Sequence, residues 1–155
     1  MLDLRNKGLT AFPEISPDKT IVDISNNRIT SISSQIENCK KLKEFDISKN
    51  LLSELPREIG KLTELRSLNL NVNRISFLRK EIGNLHKLIH FKVANNQLTE
   101  LPKEIGNFQS LDELELDYNQ LTELPKEIGK LAKLRKLSLR NNHLKELPEE
   151  IAQLK

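Results

Sequence analysis

Residues 108–130 read FQSLDELELDYNQLTELPKEIGK, and residues 131–153 read LAKLRKLSLRNNHLKELPEEIAQ. Laid one above the other, they place Phe108 over Leu131, Leu111 over Leu134, Leu114 over Leu137, Leu116 over Leu139, Asn119 over Asn142, Leu121 over Leu144, Leu124 over Leu147 and Ile128 over Ile151. The apolar and Asn positions coincide, while most residues between them differ. The same 23-residue step carries the frame back through 85–107, 62–84 and 39–61. In 16–38 Ser16 and Lys19 replace apolar residues, but Val22, Ile24, Asn27, Ile29, Ile32 and Ile36 keep the frame. Residues 1–15 form a shortened unit on Leu2, Leu4, Leu9 and Phe12. Self-similarity at one fixed period marks an array whose units bury their apolar faces only against one another. The chain therefore reads as a single domain over 1–155, with one partial and six full units and no linker.

Within a unit, Leu114 and Leu116 are two residues apart, so both point to one side of a short strand. Stacking units at constant pitch lays these strands side by side in a parallel sheet. Asn27, Asn50, Asn73, Asn96, Asn119 and Asn142 follow the strands, where a side-chain amide can satisfy backbone groups that the turn leaves unpaired. A ladder of asparagines is expected, interrupted at Lys7 in the partial unit. Pro13, Pro56, Pro102, Pro125 and Pro148 end the extended stretch and start the return. Short helical or 3-10 turns are expected there, with local differences where Ser33 and Arg79 replace the proline. Gly60, Gly83, Gly106 and Gly129 close each return and lack the clustering of a phosphate-binding loop.

The pattern LxxLxxLxLxxNxLxxLPxxIGx closely resembles the leucine-rich-repeat family, and in particular its 23-residue subclass, over essentially the whole chain. That subclass occurs in bacterial proteins, among them proteins of spirochaetes and intracellular pathogens, and in Ras-pathway scaffolds. The resemblance implies an α/β solenoid: a horseshoe arc with a parallel β-sheet on its concave face and short turns on its convex face. It also implies a protein partner held on the concave face by the residues that alternate with the strand leucines.

Those residues in the middle and last units are Asn69, Asn71, Val72, Arg74, His90, Lys92, Glu113, Glu115, Asp117, Tyr118, Lys136, Arg140 and His143, the candidate partner-binding set. The earlier units are acidic there, through Asp3, Asp23, Glu44 and Asp46, and later ones alternate in sign. Ile21, Leu51, Val72 and Tyr118 are apolar where solvent is expected. Mixed charge beside a few apolar anchors suits a protein surface, with Tyr118 the natural centre. It suits a polyanion poorly, because the carboxylates repel phosphates.

Composition agrees. The 25 Lys and Arg residues against 22 Asp and Glu, a net charge of +3, are scattered along the chain, which does not favour nucleic acid. No apolar run is long enough for a membrane span, and Met1-Leu2-Asp3-Leu4-Arg5 lacks the features of a secretory signal. With Cys39 as the single cysteine, no intrachain disulfide can form, and it falls in a core column. His86, His90 and His143 have no metal-type spacing with each other or with Cys39, and His90 beside Glu113 has no nucleophile within its frame. The reading is non-enzymatic and cofactor-free. Met1 falls inside a strand and Leu154 opens another unit, so neither end reads as capped: either the chain is a piece of a longer protein, or its ends are covered by self-association or by a partner.

The function expected is a protein-interaction module, in its sharper form a bacterial effector that inhibits or regulates an enzyme by covering its active site. Its place is then the cytoplasm, or a host cell reached without a classical signal. The alternatives are a surface adhesin or receptor fragment, the targeting domain of a larger enzyme such as a ubiquitin ligase, and a Ras-pathway-type scaffold.

Overall fold

The computed structural model describes residues 1–154 and shows a seven-stranded, all-parallel sheet. Its strands are β1 (Leu2–Asp3), β2 (Ile21–Asp23), β3 (Glu44–Asp46), β4 (Ser67–Asn69), β5 (His90–Lys92), β6 (Glu113–Glu115) and β7 (Lys136–Ser138), in chain order across the sheet. Register follows the 23-residue step without a slip: Glu44 lies beside Ser67, Ser67 beside His90, His90 beside Glu113, and Glu113 beside Lys136. From β2 onward, each coil returns through one 3-10 turn on the opposite side, such as Lys103–Asn107 and Lys126–Lys130.

The core runs unbroken along the solenoid axis. Leu68, Phe91 and Leu114 from adjacent strands are fully buried, as are Ile82, Ile105 and Ile128 from the returns. Phe91 meets Phe108 edge to face, with ring centroids 5.7 Å apart. Cys39 packs in this core at 1% exposure, and burial pushes its thiol pKa up.

The asparagine ladder forms as expected. Asn96 donates to the carbonyls of Leu70, Val93 and Ala94 at 3.1–3.2 Å, while its Oδ1 accepts the Ile75 amide at 2.9 Å. Each rung thus ties its own coil to the preceding one. At Lys7 the ladder ends without a loss, because Asn27 Oδ1 accepts the amides of both Lys7 and Leu9 at 3.0 Å.

The returns at Ser33 and Arg79 differ in their side chains, where Ser33 Oγ accepts from the Gln35 amide and Arg79 donates to the Leu55 carbonyl and to Glu54, but not in their backbone. Arg79 takes φ −72° and ψ 151°, close to Pro102 at −67° and 144°, and both precede the same 3-10 turn. Proline favours this extended conformation but is not needed for it, since tertiary contacts impose it equally on arginine and serine.

Candidate functional site

The strands expose one face, and the candidate residues separate into three groups on it. The first is an ionic network across β5, β6 and β7. Glu113 sits at its centre with a side chain only 12% exposed, 2.5 Å from Lys136 Nζ and 3.3 Å from Lys92 Nζ. Lys92 also lies 3.9 Å from Glu115. The hydrogen bond from Lys136, with further help from Lys92, holds the Glu113 carboxyl below the usual glutamate range, and Glu113 in turn raises Lys136. His90 Nδ1 is 3.4 Å from the Glu113 carboxylate, yet the geometry is not that of a hydrogen bond. Exposed pairs of this kind add little stability. Their consequence is orientation: five charged or titratable side chains are grouped in one arrangement.

The second group is absorbed by the scaffold. Asn69 donates to Asp46 at 2.8 Å, and Asn71 Oδ1 accepts the Ala94 amide at 2.7 Å. Asp117 accepts from the Ser138 hydroxyl and the Arg140 amide, both at 2.6 Å. Part of their hydrogen-bonding capacity is spent on neighbouring coils.

The third group lies just beyond the strand ends. Val72 and Tyr118 occupy equivalent positions, 44% and 55% exposed, with Arg74 beside Val72 also exposed. Every residue in that row, from Asn6, Asn26 and Lys49 through Val72, Asn95 and Tyr118 to Asn141, has φ between 53° and 59°. This is the left-handed region, which asparagine tolerates and a β-branched residue resists. Val72 is the outlier of the row. Its backbone is held there by stacking, since Val72 N donates to Ala94 O at 2.9 Å and its carbonyl accepts from Asn50 N at 3.3 Å.

Changing Val72 to Asn should therefore stabilise the fold by about 1 kcal/mol, roughly 2–4 °C in melting temperature. A melting curve unchanged or lowered in V72N would show that the turn holds no strain. The sequence placed Val72 among exposed apolar residues but missed the strain. The signal was available: asparagine fills four places in that column.

His143 lies exposed in the last coil, apart from the network, and His86 approaches the Asn107 carbonyl at 3.2 Å on another side of the coil. Among the described residues, no three His, Cys, Asp or Glu side chains group as a metal site. No helix among them is long and apolar enough to cross a membrane. The open surface depression beside β1 to β4 is lined by Asp23, Ser25, Asp46, Ser48, Asn69 and Val72, among others.

Family models described as a leucine-rich repeat region and a leucine rich repeat match residues 21–119 and 109–155. The chain belongs to the leucine-rich-repeat family. Among solved structures it is similar to the leucine-rich-repeat ectodomain of the Arabidopsis thaliana membrane receptor kinase GASSHO1/SCHENGEN3, in complex with CASPARIAN STRIP INTEGRITY FACTOR 2. There identity is 35% and the TM-score 0.81, over 90% of this chain and 18% of that one. It is also similar to a Leptospira interrogans leucine-rich-repeat protein, at 33% identity and TM-score 0.61, over 83% of this chain and 38% of that one. An internalin from Listeria monocytogenes matches at 27% identity and TM-score 0.72, over 87% of this chain and 38% of that one. This leucine-rich-repeat chain spans well under half the length of each of these structures. A comparison with curated proteins gives no match.

Leucine-rich-repeat domains of this architecture are scaffolds for protein interaction, and several similar structures contain a peptide or protein partner. That agrees with what this member presents: a stiff coil with an ordered, mixed-charge face.

Proposed function

We propose that this leucine-rich-repeat protein binds a protein partner on its concave sheet face, with no chemistry of its own. The observation that carries the reading is the network around Glu113, in which Lys92 and His90 from β5 and Lys136 from β7 converge on one carboxylate. Such a surface is organised before any partner arrives, so docking costs little side-chain ordering. The sharper form is a bacterial effector that covers the active site of an enzyme, acting in the cytoplasm or within a host cell. Its support is the similarity to the Leptospira and Listeria proteins and the pattern of the 23-residue subclass.

A second reading, a receptor fragment that takes a peptide, is favoured by a different observation. Structures of the Arabidopsis receptor kinase HAESA with the peptide hormone IDA match this chain at 33–34% identity and TM-scores of 0.79–0.80.

The immobilised chain should capture its partner from cell extract for identification by mass spectrometry. Reversing concave Lys92 and Glu115 together should reduce recovery about tenfold or more, while reversing convex Lys103 and Lys126 should leave it within about twofold. Equal losses from the two pairs would remove the concave assignment.

A further inference from the structure

The concave sheet carries ion pairs of its own, from Arg5 to Asp3 and Asp23 and among Lys92, Lys136, Glu113 and Glu115, whereas the cations of the strip just beyond the strand ends are unpaired. Two positions in each coil define that strip. One is the left-handed residue: Asn6, Asn26, Lys49, Val72, Asn95, Tyr118 and Asn141. The other lies two residues on: Gly8, Arg28, Leu51, Arg74, Gln97, Gln120 and His143. Neither row contains a carboxylate. Arg28, Lys49 and Arg74 are exposed, and none is within ion-pair distance of an acid among the described residues. The carboxylates closest along the chain are already engaged: Asp23 accepts from Ser25 and lies 3.4 Å from Arg5, Asp46 accepts from Ser48 and Asn69, and Glu54 pairs with Arg79 at 2.7 Å. Leu51, half-buried, and the exposed Val72 share the coils of these cations, and the exposed Tyr118 lies two coils further on.

Val72 is held in a backbone conformation that asparagine would adopt with less strain, so the fold does not account for its presence. Strain that the fold does not need is a pointer to function. Tyr118 shares the same row and is more exposed still.

We infer that Val72 and Tyr118, with Arg28, Lys49, Leu51 and Arg74 grouped at the Val72 end, receive an extended acidic segment of the partner whose apolar side chains are three residues apart. The spacing follows from the coil. Val72 and Tyr118 are two strands apart, which is about 10 Å at the usual inter-strand distance. A chain in the polyproline-II conformation rises about 3.1 Å per residue with three residues per turn, so every third side chain returns to one face about 9 Å along. The unpaired cations lie in the coils of β2, β3 and β4, so they select carboxylates in the residues of the segment that run from the Val72 anchor towards β2. Exposed Asn95, between the two anchors, can donate to and accept from the segment's backbone. A basic segment is repelled by the same three cations.

The inference rests on the reading that the chain binds a protein, and its test separates the two. Random dodecapeptides displayed on phage are selected on the full chain, and the best sequence is made with a dye for fluorescence polarisation. Selected peptides should be rich in Asp and Glu, with apolar residues three apart. Val72→Asn, Tyr118→Asn and Arg74→Glu should each weaken the synthetic peptide about tenfold or more. V72N is decisive because it should melt at or above the parent temperature, so lost affinity cannot come from misfolding.

Selection of Lys- and Arg-rich peptides, or of none, overturns the inference. So does a selected peptide that tolerates V72N and R74E. If such a peptide is lost on reversing Lys92 and Glu115, the strip fails while the concave reading stands. If the strip substitutions abolish peptide binding but concave charge reversal leaves the captured partner untouched, the concave reading fails and the strip remains.

Discussion

Asn96→Leu should lower stability by about 1–3 kcal/mol, seen as a drop in the denaturant midpoint. The side chain is nearly isosteric and the site is buried, so packing alone suggests a mild change. Hydrogen bonding says otherwise. The Ile75 amide, which is bonded to Asn96 Oδ1, loses that acceptor inside the core. An orphaned buried donor alone costs about 1–3 kcal/mol. The carbonyls of Leu70 and Val93 keep the side chains of Asn73 and Asn119 as partners, and Ala94 O keeps the Val72 amide. The damage is thus centred on the junction between the coils of β4 and β5. Because stability in such an array is passed between neighbours, a broken junction weakens the coils on both sides. A loss below about 1 kcal/mol would show that the ladder is dispensable.

Gly106→Val is expected to cost about 2–3 kcal/mol for a different reason. A Cβ on Gly106 would lie 2.7 Å from the Glu127 carbonyl oxygen and 2.8 Å from Glu127 Cβ, both in the next coil. Backbone cannot swing aside as a flexible side chain does, so adjoining 3-10 turns must separate. Gly8→Ala provides the contrast. Nothing lies within 4 Å of a Cβ there, and only the positive φ of 68° opposes the substitution, at about 1–2 kcal/mol. Thermal or denaturant unfolding of both variants checks the ordering. If Gly8→Ala were the worse of the two, close approach between coils would not be what requires Gly106.

The concave set was only partly legible before the structure. Lys92, Glu113 and Lys136 could be placed on one face from their registration with the strand leucines, and they do meet there. Asn69, Asn71 and Asp117 could be placed equally well, but nothing in their spacing showed that neighbouring coils would engage their polar atoms. Arg28 and Lys49 were left out of the candidate set, because their lack of a partner is visible only once every acid has a position. Similarly, the sequence marks the recurring glycines only as turn closers, whereas the structure shows them pressed against the next coil.

The sequence by itself determined the coil: its period, its register, the parallel sheet, the buried columns and the asparagine ladder. These depend on which residues recur, and a constant 23-residue step makes every contact between coils a copy of the last. Tertiary structure alone decided which charges neutralise one another, which glycines are sterically required, and that Val72 is held in a conformation its side chain disfavours. Those properties depend on distances and dihedral angles between side chains that do not repeat, and no period in the sequence encodes them.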